Sequence, residues 1–158
     1  MLIPGFLRVF PEAKLLIALR DPRDVVLSCF MQYLPLNPNS VCYLTLERTA
    51  RRYAQDMGIW LKYREMIPAP WLEVRYEECV THLEQQARRA LEFLGLPWEP
   101  RVLQYRDRLK TKVVASPTYE AVGQPLYTSA IGRWRNYQKY LEPCLEILRP
   151  CADAFGYA

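Results

Sequence analysis

Arg20, Asp21, Arg23, Asp24 and Ser28 crowd into the nine residues Arg20-Asp21-Pro22-Arg23-Asp24-Val25-Val26-Leu27-Ser28, directly after the apolar run Leu15-Leu16-Ile17-Ala18-Leu19. The chemistry these types suit is anion binding. A guanidinium presents a planar fork of N–H donors and a serine adds a hydroxyl, so Arg20 and Ser28 can grip one phosphate along the flank of a helix that starts between them. Asp21 is a helix N-cap, Pro22 occupies the first helical position where a missing N–H costs nothing, and Asp24 falls in the first turn where negative charge is favoured. On the residues alone a second reading stands beside this one, in which the two arginines and two aspartates merely neutralise one another on the surface.

Positioning such a site requires a strand that ends at Arg20 and a helix that begins just after it. The strand is Lys14 to Leu19, whose unbroken apolar run suits parallel pairing with both faces covered. The helix runs from Pro22 to Leu34. Pro35-Leu36-Asn37-Pro38-Asn39-Ser40 is a turn-rich break. A long helix from about Val41 to Met66 places Leu46, Ala50, Tyr53, Ala54, Met57, Trp60 and Leu61 on one stripe, a core face. Pro68 and Pro70 end it before a second strand, Trp71 to Arg75, and strand, helical crossover and strand imply a parallel pair with a right-handed connection. A helix from His82 to Leu94 stops at Gly95. A short helical piece reaches about Arg108, an irregular basic stretch passes through Lys110 and Lys112, and the tail reads as two helices, Ala130 to Tyr140 and Pro143 to Ala154. In the first of these, Arg133, Trp134, Arg135, Tyr137 and Lys139 mix cations with aromatics. That mixture suits an amphipathic helix burying Ile131, Trp134 and Tyr137, and it also suits stacking on single-stranded nucleic acid.

Composition narrows the classes. The chain has 158 residues, 51% of them apolar, and a formal charge of +4 spread along its length. That is enough for one globular core, and too diffuse for a duplex nucleic-acid face. Neither a secretory signal nor an apolar run of membrane-spanning length is present, so the cytoplasm is the default expectation. Cys29, Cys42, Cys79, Cys144 and Cys151 are odd in number with no Cys-x-x-Cys pair, which disfavours a disulfide framework, and His82 is the one histidine, which disfavours a zinc site. His82 reads as a surface residue near a helix cap rather than a general base.

The segment from Arg20 to Ser28 closely resembles the 3′-phosphate motif of sulfotransferases that use 3′-phosphoadenosine 5′-phosphosulfate (PAPS), in which the matching Arg and Ser hold the nucleotide's 3′-phosphate. Leu72-Glu73-Val74-Arg75-Tyr76-Glu77-Glu78 is similar to the family's later strand and Tyr-Glu turn, and Phe93-Leu94-Gly95-Leu96-Pro97 to its continuation. Pro125-Leu126-Tyr127 with Ile131-Gly132-Arg133-Trp134-Arg135-Asn136-Tyr137 resembles the C-terminal segment of bacterial sulfotransferases, often fused to tetratricopeptide repeats, and more distantly of tyrosylprotein sulfotransferases. The resemblance implies that Tyr76 contacts the adenine, that Arg133 approaches the nucleotide phosphates, and that Thr118, or Ser116 in another register, offers a hydroxyl to the same phosphate.

The family's Gly-rich 5′-phosphosulfate loop and its general base have no counterpart among these residues, since Gly5, Gly58, Gly95, Gly123, Gly132 and Gly156 are scattered. The resemblance therefore implies a partial P-loop-NTPase-like α/β fold: parallel strands with flanking helices and a helical tail, residues 1–158 forming one N-terminally incomplete sulfotransferase domain. It supplies the 3′-phosphate and adenine part of a PAPS site, with no metal and a hydroxyl-bearing acceptor on a peptide, carbohydrate or small molecule. The catalytic residues are not legible, and the chain alone is expected to be inactive. Further expected partners are PAP, the N-terminal segment of such a domain or a second copy. Two other readings remain open: a noncatalytic PAP-binding or partner-binding fragment, and an α/β protein that binds single-stranded nucleic acid through the basic aromatic tail.

Overall fold

The computed structural model describes residues 3–32, 34–104 and 126–157. It is an α/β protein with helices α1 (Ile3–Val9), α2 (Pro22–Met31), α3 (Leu46–Tyr63), α4 (Tyr76–Thr81), α5 (Leu83–Leu94) and α6 (Gln138–Ala154), and strands β1 (Leu15–Leu19) and β2 (Trp71–Arg75). Single 3-10 segments cover Ser40–Tyr43, Pro100–Gln104 and Arg133–Tyr137. The chain divides into two compact units, one of residues 1–15, 19–71 and 129–158, the other of residues 16–18 and 72–128.

The first unit is built around α2, α3 and α6. Val26 and Leu27 of α2, Ala50 of α3, and Leu141, Cys144 and Leu148 of α6 bury one another together with Trp134, and Leu46, Tyr53, Tyr137 and Ile147 pack on the rim. The spacing explains the choice of faces: Leu141, Cys144, Leu148, Cys151 and Ala152 recur every three or four residues along α6 and are its buried positions. Thr45 caps α3 by accepting the Arg48 N–H at 3.2 Å. Trp60 is fully buried and meets Trp71 edge to face, ring centroids 5.5 Å apart.

In the second unit β1 and β2 form a two-stranded parallel sheet, and β2 runs directly into α4. Arg88 of α5 stacks on Trp98, its guanidinium carbon 3.9 Å from the ring centroid.

Several element boundaries differ from the sequence reading: α2 ends at Met31 rather than Leu34, because Gln32 turns to extended backbone, β1 begins at Leu15 rather than Lys14, and α3 ends at Tyr63 rather than Met66. The long helix from Val41 resolves into the 3-10 segment Ser40–Tyr43 and α3, because Thr45 takes the extended conformation of a cap and starts a fresh helix. The Tyr76-Glu77-Glu78 turn is helical: α4 begins at Tyr76 with Glu77 and Glu78 in its first turn, and ends at His82. The tail is a 3-10 segment followed by one continuous helix, since α6 runs through both Pro143 and Pro150. Both prolines are exposed, so each ring faces water and the buried stripe is undisturbed.

Leu148 is 1% exposed at the centre of the α2–α3–α6 cluster. Leu148→Ala is expected to lower unfolding free energy by about 2–5 kcal/mol through lost burial and the cavity left behind, read by urea denaturation against the exposed control Tyr140→Ala.

Candidate functional site

The sequence around the β1–α2 junction folds as its residue types dictate, with one change of role. Asp21 is the N-cap of α2 and its Oδ1 accepts the Arg23 N–H at 2.9 Å. The same carboxylate takes the Arg23 guanidinium bidentately, from Nε at 2.9 Å and Nη2 at 2.8 Å. Arg23 also donates to the Tyr157 carbonyl and lies over the Trp134 ring, 4.2 Å from its centroid. It is thereby committed to structure. The Tyr157 carbonyl is delivered by the end of α6, where Gly156, at φ 70°, turns the chain so that the Gly156 and Tyr157 N–H groups donate back to Asp153 and Ala152.

Asp24 does not serve as a solvent-facing first-turn charge. It is 1% exposed, and its two oxygens accept backbone N–H groups from 108 and 110 residues away: Oδ2 from Gly132 at 2.7 Å and Oδ1 from Trp134 at 2.8 Å. Gly132 stands at φ 66°, a left-handed conformation that favours glycine, while the one group a β-carbon would meet there is the exposed and movable Arg135 guanidinium. The 132–134 turn is thus a backbone nest whose anion is a side chain of the chain itself. Burial pushes the Asp24 carboxyl above the ordinary 3.8, opposed by the Trp134 and Gly132 N–H groups and by the Arg20 charge.

Arg20, immediately before the cap, is half-buried and donates from Nη2 to the Ala130 carbonyl at 2.7 Å. Its positive charge opposes the upward shifts of both the Asp24 carboxyl and the Cys29 thiol. Ser28 lies on the second turn of α2, exposed and without a side-chain partner among the described residues. Arg133, the residue between the two amides that Asp24 holds, is likewise exposed and makes no hydrogen bond or ion pair with the described residues. Burial pushes the Cys29 thiol up, so it stays protonated at neutral pH.

Arg20, Ser28 and Arg133 all belong to the first unit, where the Arg20–Ala130 bond and the Asp24 bonds to Gly132 and Trp134 hold the 130–134 backbone against the start of α2. Tyr76, the first residue of α4, belongs to the second unit and is half-buried. Thr118 and Ser116 lie outside the described residues. What the sequence reading missed is the role of Asp24 and the commitment of Arg23; a carboxylate and a distant Gly-x-Trp share no local signal. Further along α2, Phe30, Gln32, Leu34, Leu36, Ser40, Tyr43 and Leu44 line a mostly apolar cavity of about 320 Å³. No group of three or more metal-ligating side chains occurs among the described residues, nor any helix long and apolar enough to cross a membrane.

Residues 2–100 match the model of a sulfotransferase family, and the chain belongs to that family. Its fold is accordingly P-loop-like. Over 145 residues, 90% of this chain, it is 32% identical to an uncharacterized protein of Aquifex aeolicus (strain VF5). Over 130 residues, 80% of the chain, it is 26% identical to protein-tyrosine sulfotransferase A of Caenorhabditis elegans. The aligned stretches make up 19% and 34% of those relatives.

Replacing Asp24 tests the buried clamp. Because its folded-state carboxyl titrates above the unfolded value, its protonated form is favoured by the fold, so its contribution is full below about 3.8 and declines as pH rises through the raised pKa. Asp24→Asn lacks this titration. The stability gap between wild type and Asp24→Asn is expected to narrow as pH rises through that acidic window, in urea denaturation series from pH 3 upward; a gap that widens with pH would mean the carboxylate is favoured instead.

Proposed function

We propose that this chain supplies the 3′-phosphate and adenine part of a PAPS site in a sulfotransferase that transfers a sulfuryl group to a hydroxyl acceptor. The observation that carries this reading is a tethered Arg20 and an exposed Ser28 at the start of α2, with the exposed Arg133 on the turn that Asp24 holds against that helix. The donor set suits a phosphate dianion: two guanidinium groups, one hydroxyl, and no carboxylate left to repel it, because Asp21 and Asp24 are both engaged. Tyr76 is assigned to the adenine, by the resemblance of its strand to the family's. Thr118 is assigned as a further hydroxyl toward the phosphate on the same ground.

In the transfer itself the acceptor oxygen attacks sulfur in line with the leaving phosphate, which demands positioning, a base for the acceptor proton and cations for the charge that develops. The residues of this chain meet the first demand at the 3′ end of the donor, and Arg133 adds positive charge toward the nucleotide phosphates. No general base is assigned. The mostly apolar cavity lined by Phe30 at the end of α2 and by Leu34, Leu36, Tyr43 and Leu44 beyond it suits the apolar body of an acceptor. The cytoplasm is the proposed location.

Two expectations follow. In calorimetric titration PAP binds more tightly than AMP, and Arg20→Ala removes most of that advantage, about 10- to 150-fold in Kd for the loss of charge-assisted hydrogen bonds worth roughly 1.5–3 kcal/mol; equal affinity for the two nucleotides would refute a 3′-phosphate site. The purified chain alone is expected to transfer no radiolabelled sulfate from PAPS across a panel of phenol, sugar and peptide acceptors, and steady turnover would show that it holds a base and a 5′-phosphosulfate site of its own.

A further inference from the structure

The exposed Arg133 side chain makes no hydrogen bond or ion pair with the described residues, yet the backbone that carries it is pinned on both sides. The Gly132 and Trp134 amides both end on the Asp24 carboxylate, at 2.7 and 2.8 Å. The Ala130 carbonyl, two residues upstream of Gly132, ends on Arg20 at 2.7 Å. Trp134 is buried in the α2–α3–α6 core and has Arg23 and Arg135 near its ring, 4.2 and 5.2 Å from the centroid. A five-residue segment is thus fastened at three points to the first turn of α2 and its flank, and Arg133 is its projecting side chain.

A long side chain loses rotamer freedom when it is fixed on a ligand, and a cation on an unfastened loop loses backbone freedom as well. Holding its backbone beforehand removes part of that cost. The fastening group, Asp24, lies in the middle of the Arg20–Ser28 motif, and the amides it holds flank Arg133.

We propose that Asp24 is a positioning residue for nucleotide binding: by accepting the Gly132 and Trp134 N–H groups it holds Arg133 beside Arg20, where it contributes to the 3′-phosphate. This rests on the reading of Arg20 and Ser28 as a 3′-phosphate site. A carboxylate that only stabilised the fold would affect every nucleotide alike, whereas one that positions Arg133 acts on the 3′-phosphate and does so through Arg133.

The test is calorimetric titration of the full chain with PAP and with AMP, for wild type, Asp24→Asn, Arg133→Ala and the double variant, each melted beforehand to establish that it folds. Asp24→Asn is expected to reduce the PAP-to-AMP affinity ratio by about 5- to 20-fold, as Arg133→Ala does, and the double variant to be no worse than either single one. Gly132→Ala, which disturbs the same turn while keeping both charges, is expected to reduce the ratio in the same direction and serves if Asp24→Asn does not fold. Losses that multiply in the double variant, or a ratio unchanged by Asp24→Asn or, should that variant not fold, by Gly132→Ala, would overturn the positioning role. A wild-type chain that does not distinguish PAP from AMP would overturn the 3′-phosphate site, and the role of Asp24 with it.

Discussion

A single buried carboxylate joins the two ends of this chain. Asp24 accepts two N–H groups from a turn more than one hundred residues away, and the arrangement of the 130–134 segment against α2 depends on that junction. Burying a carboxylate is costly unless its oxygens are satisfied, and charge-assisted bonds from two backbone donors are the way a protein offsets the cost. In return the 130–137 segment is fixed against α2, its tryptophan completes the α2–α3–α6 core, and the Gly132 turn is held in a conformation that glycine alone adopts easily.

The charges of the motif then divide by role. Asp21 caps α2 and binds Arg23; Arg23 in turn holds the Tyr157 carbonyl and the Trp134 face, so that pair ties both the tail and the turn to the helix. Asp24 is consumed by the turn. What remains facing outward is Ser28 and Arg133, with Arg20 aligned by the Ala130 carbonyl. Four of the five motif side chains are used for assembly at least in part.

Much of this was legible from the residues. β1 and β2 fall where apolar runs and flanking prolines put them, and α2 begins where Asp21-Pro22 says a helix must. The family was legible as well, because Arg20 to Ser28 resembles the family's 3′-phosphate motif. The partnership of Asp24 with Gly132 and Trp134 was not: local patterns report the period of one element, and nothing in a first-turn aspartate distinguishes service to the helix dipole from service to a distant turn. Pro143 misled for a related reason. It breaks a helix in isolation, but here burial of Leu141, Cys144 and Leu148 on the opposite stripe carries α6 through it. Tyr76 marked a turn by its neighbours Glu77 and Glu78, which instead favour a helix N-terminus.

The most direct measurement is a crystal structure of the chain grown with PAP. The account predicts the 3′-phosphate within hydrogen-bonding distance of the Arg20 guanidinium and the Ser28 hydroxyl, with the Asp24 clamp to Gly132 and Trp134 intact and Arg133 turned toward the same phosphate. A 3′-phosphate lying in solvent or on another face of the molecule, with Arg20 and Ser28 untouched, would contradict it.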